Sequence, residues 1–467
     1  MSRGFAEKSV LHLKNYAELV CWHVFREVRM PARTSADTVM EPGGHGAPRR
    51  HSRGPHMTVR TTLLTIATAA LTAMGTVAVA TPAAAAPDLT DVLFVANNWD
   101  GTADYLTPDG NLTRLGRLNV VPDKEQRLAE IYRNPVRAAF YFGIRQLVGE
   151  GHDQYADDMY TSKDGRKLIV SRPSFADVVS LDIATGAIDW RFAVDGQRAD
   201  HMAISDDGTQ VAVSASTANT VHILDTANGR EIGRFPTGTS PHENVYTKDG
   251  RYIINASIGR VESPLDAPAL GVTKFPRWIA FYDRTTGAVT RQIDIGRKLA
   301  EAGHPDMSSS VRPMTLSPDE RFLYLQVSFF HGIVEYDLQQ DRVTRVADLP
   351  ITAAAAALPR ESYLLDSAHH GIAMNTAGTK MCVAGTMSDY ATVVSRDTLT
   401  AGPLVTSGEK PYWSTRSADG QYCFVSWAGS DKVSAISFDT GLEVGSAAVG
   451  DHPQRMRTGV VSSSIIG

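Results

Sequence analysis

The chain has 467 residues, 43% of them hydrophobic, and a formal charge of −5. That composition allows a large buried core, and the near-balanced charge, with no basic aromatic patch, excludes a nucleic-acid binder. No CxxCH or CxxC pair occurs, which excludes covalently attached haem and cysteine-based structural zinc.

In chain order, residues 1–86 read as lying outside the fold. Thr61 to Ala80 is an apolar run preceded by Arg60, with small-residue cleavage sites at Ala78-Val79-Ala80 and Ala83 to Ala86. This pattern predicts a secretory signal over residues 57–86, beginning at Met57, and hence a secreted or extracytoplasmic protein. An uncleaved signal is the one route by which the chain would touch a membrane. Residues 1–56 then read as a non-native or disordered leader, because an export signal normally starts its chain.

Residues 87–467 read as one domain. Strands are expected at Val92 to Ala96, Ala103 to Leu106 and Leu112 to Leu115, followed by a helical insertion over about residues 120–151. Six repeats of about 42 residues follow between about 152 and 447. Each has an inner strand, an Asp-Gly-type turn such as Lys163-Asp164-Gly165, a Val/Ile-rich strand, and a strand ending in a hairpin such as Asp182-Ile183-Ala184-Thr185-Gly186. A seventh inner strand at about 452–461 lacks its outer strands, and the three N-terminal strands can supply them. The expected fold class is therefore all-β: a seven-bladed β-propeller closed by both chain ends in one blade. A monomer is expected. Cys382 and Cys423, in neighbouring repeats, suit either one disulfide or two buried thiols.

The Ser317-Pro318-Asp319-Glu320 and Asp249-Gly250 turns and the Asp-Thr-x-x-Gly hairpins resemble those of the YVTN or YncE-like β-propellers, over roughly residues 91–461. That group is related in fold to the quinoprotein amine dehydrogenase heavy chain. The resemblance implies the fold; it leaves function open, because this scaffold hosts binding proteins, lyases, lactonases and redox enzymes.

At the entry to each inner strand stands a polar cluster. The seven are Ala156-Asp157-Asp158, Ala199-Asp200-His201, Pro241-His242-Glu243-Asn244, Val311-Arg312-Pro313, Ala368-His369-His370, Lys410-Pro411-Tyr412-Trp413 and Asp451-His452-Pro453-Gln454-Arg455. In a propeller these entries converge on one mouth of the central channel. Insertions at 120–151, 259–277, 296–310 and 350–367 lengthen loops on the same face, as lids or binding loops do.

His201, His242, His369, His370 and His452 are candidate ligands for a divalent metal (zinc, manganese, iron or copper). A hydrogen-bonded polar plug is the equal alternative. Arg312 and Arg455 are candidates to neutralise a substrate carboxylate, with His242 or His370 as base and Asp158 as acid. Arg172, Glu243, Asn244, His331, Lys410, Tyr412, Trp413 and Gln454 complete the expected ligand-binding set. The expected partner is a small molecule, an acidic saccharide being the most concrete version. The reading is an exported propeller performing metal-assisted lyase, hydrolase, isomerase or cyclase chemistry. The alternative is a non-catalytic binding propeller of the cell surface. A redox protein ranks below both, lacking haem attachment and a cysteine-containing copper site.

Overall fold

The computed structural model describes residues 88–261, 272–363 and 366–466. The expected leader and signal segment lie outside the described residues.

Seven four-stranded antiparallel sheets form the seven blades of a propeller. The inner strands of blades one to six are Met159–Thr161, Ala199–Ile204, Pro241–Tyr246, Val311–Leu316, Gly371–Met374 and Pro411–Arg416. Blade seven takes its inner strand, Pro453–Ser462, from the C-terminal end of the chain and its outer three, Leu89–Asn97, Thr102–Leu106 and Arg114–Asn119, from the N-terminal part. The two segments pair in register from Leu89↔Ser462 to Val95↔Met456. The expected closure is thus the one observed. The third N-terminal strand starts later than expected because Asp109 and Leu112, the latter at φ +52°, belong to the preceding turn.

Burial follows position in the blade. The second strand of blade one, Lys167–Arg172, is buried on both faces, while its outermost strand, Ile188–Ala193, alternates between part-buried and exposed residues. The turns after the inner strands repeat one device: Ser162, Ser205, Ser317 and Ser417 each hydrogen-bond the aspartate two residues on. Gly165 closes such a turn at φ +65°, and a Cβ there would sit 2.5 Å from the backbone nitrogen of Ser462.

Apolar side chains pack between neighbouring blades. Ile254, Ala256 and Ile279 of blade three meet Val311, Leu325 and Val327 of blade four, and Leu93 and Val95 of blade seven meet Phe424 and Val433 of blade six. The core is therefore a ring of wedges, and the axis is left to polar residues. A disulfide joins Cys382 to Cys423 across blades five and six, which settles the open choice in favour of the bridge. A disulfide is compatible with an oxidising, extracytoplasmic compartment. Among the described residues no helix is long and apolar enough to cross a membrane.

The insertion after blade seven's outer strands folds as two helices, Lys124–Arg133 and Pro135–Leu147. Tyr141 and Ile144 are buried, whereas Tyr132, Val136 and Phe142 stay exposed.

Candidate functional site: the channel mouth

Each inner strand meets the second strand of its blade as a ladder of paired residues, and in five blades that ladder slips where the polar cluster stands. In blade two the pairing runs from Ala199↔Ala215 to Met202↔Val213, so Asp200 and His201 face a single partner residue. Blade three does the same at His242-Glu243, blade four at Arg312-Pro313, blade six at Tyr412 and blade seven at Gln454-Arg455. A bulge re-aims side chains. Repeated around the ring, it turns extra residues toward the axis, and the result is a buried polar cluster: Asp157, Asp200, His201, His242, Glu243, His370, Gln454 and Arg455 are each 5% exposed or less.

At its centre stand His201, His242 and His370, each with a ring nitrogen within 4.8 Å of the others'. His201 Nδ1 lies 2.8 Å from Asp157 Oδ2, and His201 Nε2 lies 2.8 Å from His242 Nε2. The carboxylate fixes the tautomer: Nδ1 carries the proton and Nε2 presents its lone pair to the shared point. His242 Nδ1 and both nitrogens of His370 have no hydrogen-bond partner, although buried. Burial, reinforced by the Arg455 and Arg312 guanidinium groups and by the other imidazoles, holds all three rings well below the ordinary histidine range, so they are neutral. Neutral imidazoles are the metal-binding form. Two nitrogens bound tetrahedrally to one ion at about 2.0–2.1 Å are about 3.3 Å apart, so the His201–His242 pair, at 2.8 Å, would open by about half an ångström to hold one. His201, His242 and His370 therefore form a group that could hold a metal ion, with Asp157 as the orienting carboxylate.

Arg455 forms the next wall. It is fully buried, and its Nε and both terminal nitrogens make no hydrogen bond. Its nearest carboxylates are Glu243, at 3.3 Å, and Asp157, at 3.7 Å. Its guanidinium lies 3.7 Å from the centroid of the Trp413 ring, whose Nε1 also lacks a partner. The Tyr412 ring lies against His370 with centroids 4.2 Å apart, tilted by 36°. Arg312 donates from Nε to Ser328 and acts on His370 and His242 through its charge. Desolvation raises Glu243 to about 7 and Asp200 to about 6, the latter despite its pairing with Arg198.

Several expected members stand elsewhere. Asp158 is bound by both ends of Arg457, at 2.8 Å each, and accepts the backbone N–H groups of Met159 and Met202. Both its oxygens are committed, which removes it as the proton donor and makes it the link between blades one, two and seven. Arg172 is held by Asp177 and Asp123 and anchors the helical insertion. Asn244 donates to the His201 carbonyl and to Ser214 and accepts from Asn255, so it latches blades two and three. Lys410 bridges Glu150 and Asp366, at 2.5 and 3.0 Å, and so ties the N-terminal insertion to the insertion before blade five. His452, at φ +54°, turns away from the axis and stacks on Trp99, whose other face carries His152. His369 bonds Tyr390 and His331 bonds Tyr363, in a separate group beside the centre. Gln454 is buried at the mouth, with its backbone carbonyl accepting from Ser426. Of the five expected metal ligands, three converge.

The structure also adds residues. Asp157 and Asp200 are direct neighbours of His201, and Arg457 neutralises Asp158. For the first two the signal was present in the clusters that contain them. Arg457 stands two residues beyond its cluster, on the same side of the strand as Arg455, and period-two alternation would have found it.

No family model matches the chain, and no curated protein matches it. Among solved structures it is similar to hydrazine synthase of Kuenenia stuttgartiensis, with a TM-score of 0.52 and 16% identity, over 76% of this chain and 96% of that one. A likeness at that identity shows the shared fold.

Proposed function

We propose that the protein is an extracytoplasmic propeller that binds one divalent metal ion at His201, His242 and His370 and, with it, acts on a small anionic ligand at the channel mouth. The observation that carries this reading is the pair of unpartnered nitrogens on buried, neutral His370, facing two further imidazoles of which one is oriented by a carboxylate. Buried polar atoms without partners are rare in a folded protein, and three on two adjoining imidazoles match a missing ligand better than a self-satisfied plug.

A bound ion would supply Lewis acidity and a lowered pKa for a coordinated water or substrate oxygen. The chain's own residues supply the rest. Asp157 holds the His201 ring, and Arg455 meets negative charge. Glu243, beside Arg455 with one oxygen unpartnered, is positioned to take up or release a proton. Lyase, hydrolase, isomerase and cyclase reactions all use such an arrangement. Zinc, manganese, iron and copper are the candidate metals; a three-imidazole donor set favours zinc or copper over magnesium or calcium.

The test is elemental analysis of protein purified without chelator or affinity histidines. The reading expects about one equivalent of metal per chain, lost in His242→Ala/His370→Ala. Metal-free protein that stays empty after reconstitution contradicts it and leaves metal-free acid–base catalysis or a non-catalytic binding propeller.

A further inference from the structure

Four guanidinium groups, Arg198, Arg312, Arg455 and Arg457, act on the buried histidine centre. Four carboxylates stand among them: Asp157, Asp158, Asp200 and Glu243. Even with every carboxylate ionised, four against four leaves no surplus negative charge. A divalent ion on the three imidazoles therefore adds two positive charges that no side chain of this set offsets. Uncompensated charge in a buried site is costly, and the ion is the largest local charge there.

One guanidinium of the set makes no hydrogen bond. Arg457 is engaged by Asp158 at both ends and Arg198 by Asp200. Arg455 differs: it faces Glu243 at 3.3 Å and Asp157 at 3.7 Å, yet its donors make no hydrogen bond, and its face rests on Trp413, whose indole N–H is unpartnered as well. A guanidinium stacked on an aromatic ring presents its donors along its edge, in the plane that a carboxylate matches in bidentate fashion. Asp157 links the two halves of the site, bonding His201 with one oxygen and facing Arg455 with the other.

We infer that a small planar oxyanion, of carboxylate or carbonate type, binds edge-on to Arg455 and reaches the metal held by His201, His242 and His370, so that anion and metal bind cooperatively. The inference rests on the metal site proposed above and names the ligand class of that same site. The ligand is small because the residues that would hold it are almost wholly buried: His201 is 3% exposed, Trp413 3% and Arg455 0%. Cooperativity follows from charge: each partner removes part of the other's desolvation penalty, and linkage makes the effect reciprocal.

The experiment is calorimetric titration of the full chain with oxalate, acetate and bicarbonate, with and without zinc, at matched ionic strength in sulfate. Oxalate is expected to bind at least about tenfold more tightly to zinc-loaded than to metal-free protein, a coupling of about 1.4 kcal/mol. Arg455→Lys keeps the charge and loses the fork; it is expected to retain zinc and lose at least about tenfold in oxalate affinity. Trp413→Phe, a milder change, is expected to weaken oxalate and leave zinc stoichiometry unchanged. Bicarbonate binding as tightly as oxalate would identify a carbonate site, and acetate matching oxalate a monocarboxylate site; both support the inference. Equal oxalate affinity in the two metal states, or in Arg455→Lys and wild type, overturns it. If wild type takes up no zinc, the metal reading fails by that separate measurement. The metal-free titration then decides the remainder: oxalate binding abolished by Arg455→Lys upholds the anion receptor, and its absence overturns that too.

Discussion

Two buried regions of this propeller are built on opposite terms. The wedges between blades are apolar, and the charged group at one of them is fully engaged: Tyr324 and Arg345 both bond Glu335. The channel mouth is as deeply buried, yet it collects unpartnered atoms of His242, His370, Glu243, Asp200, Arg455 and Trp413 within a few blades. Single unpartnered atoms occur elsewhere, as at Tyr141, Tyr246 and Gln326, but the mouth gathers several on adjoining charged and imidazole side chains, which is the pattern of a site that something else completes. The wedges provide the free energy of folding, and the mouth draws on it.

The sharpest way to break this contrast is a pair of substitutions. Leu325→Ala, in the wedge between blades three and four, should destabilise the fold by about 2–5 kcal/mol in denaturant unfolding. His370→Leu should leave metal-free stability within about 1 kcal/mol of wild type, or raise it, while removing metal binding. A large loss from His370→Leu in the metal-free protein would mean that the mouth is a structural plug after all.

Next in size is the disulfide. Cys382→Ala/Cys423→Ala should cost about 2–4 kcal/mol in thermal unfolding, because the bridge spans a sequence separation of 41 and ties neighbouring blades.

A third effect belongs to the mouth alone. Desolvation raises Glu243 from an ordinary value near 4.5 to about 7. Between those values the folded metal-free protein holds a proton that the unfolded chain has released. Stability from this group is therefore present at low pH and is lost as pH rises from about 4.5 to about 7, by roughly 3 kcal/mol. Glu243→Gln should flatten that slope in urea titrations across the pH range. An unchanged slope would place the titrating group elsewhere.

The smallest effect should be kinetic. Lys410→Met removes the ion pairs with Glu150 and Asp366 that tie two insertions together. It should speed metal exchange with a chelator several-fold and leave stoichiometry at one. An unchanged rate would separate the insertions from access to the site.

The fold was legible because a propeller repeats its turn chemistry: Ser-x-Asp-Gly turns and Asp-Thr-x-x-Gly hairpins recur around the ring, and the unpaired last strand called for the first three. The site was legible in place more than in membership. A shared repeat position does not give a shared direction. His452 and Lys410 both precede a proline and adopt positive φ, and both leave the axis. His369 and His370 are adjacent on one chain segment, and alternation sends only His370 to the centre. The bulges that place Asp200 with His201, and His242 with Glu243, depend on strand pairing across the blade, which a single sequence does not display. Charged partners were hidden for the same reason: Arg457 and Asp158 are 299 residues apart and meet only when the ring closes.

The most direct test of the central claim is zinc-edge X-ray absorption on the zinc-reconstituted full chain, read beside the His370→Leu variant. The account predicts one zinc per chain with three imidazole nitrogens at about 2.0–2.1 Å, falling to substoichiometric zinc in the variant. Zinc bound with fewer than three imidazoles, or bound equally well without His370, would contradict it.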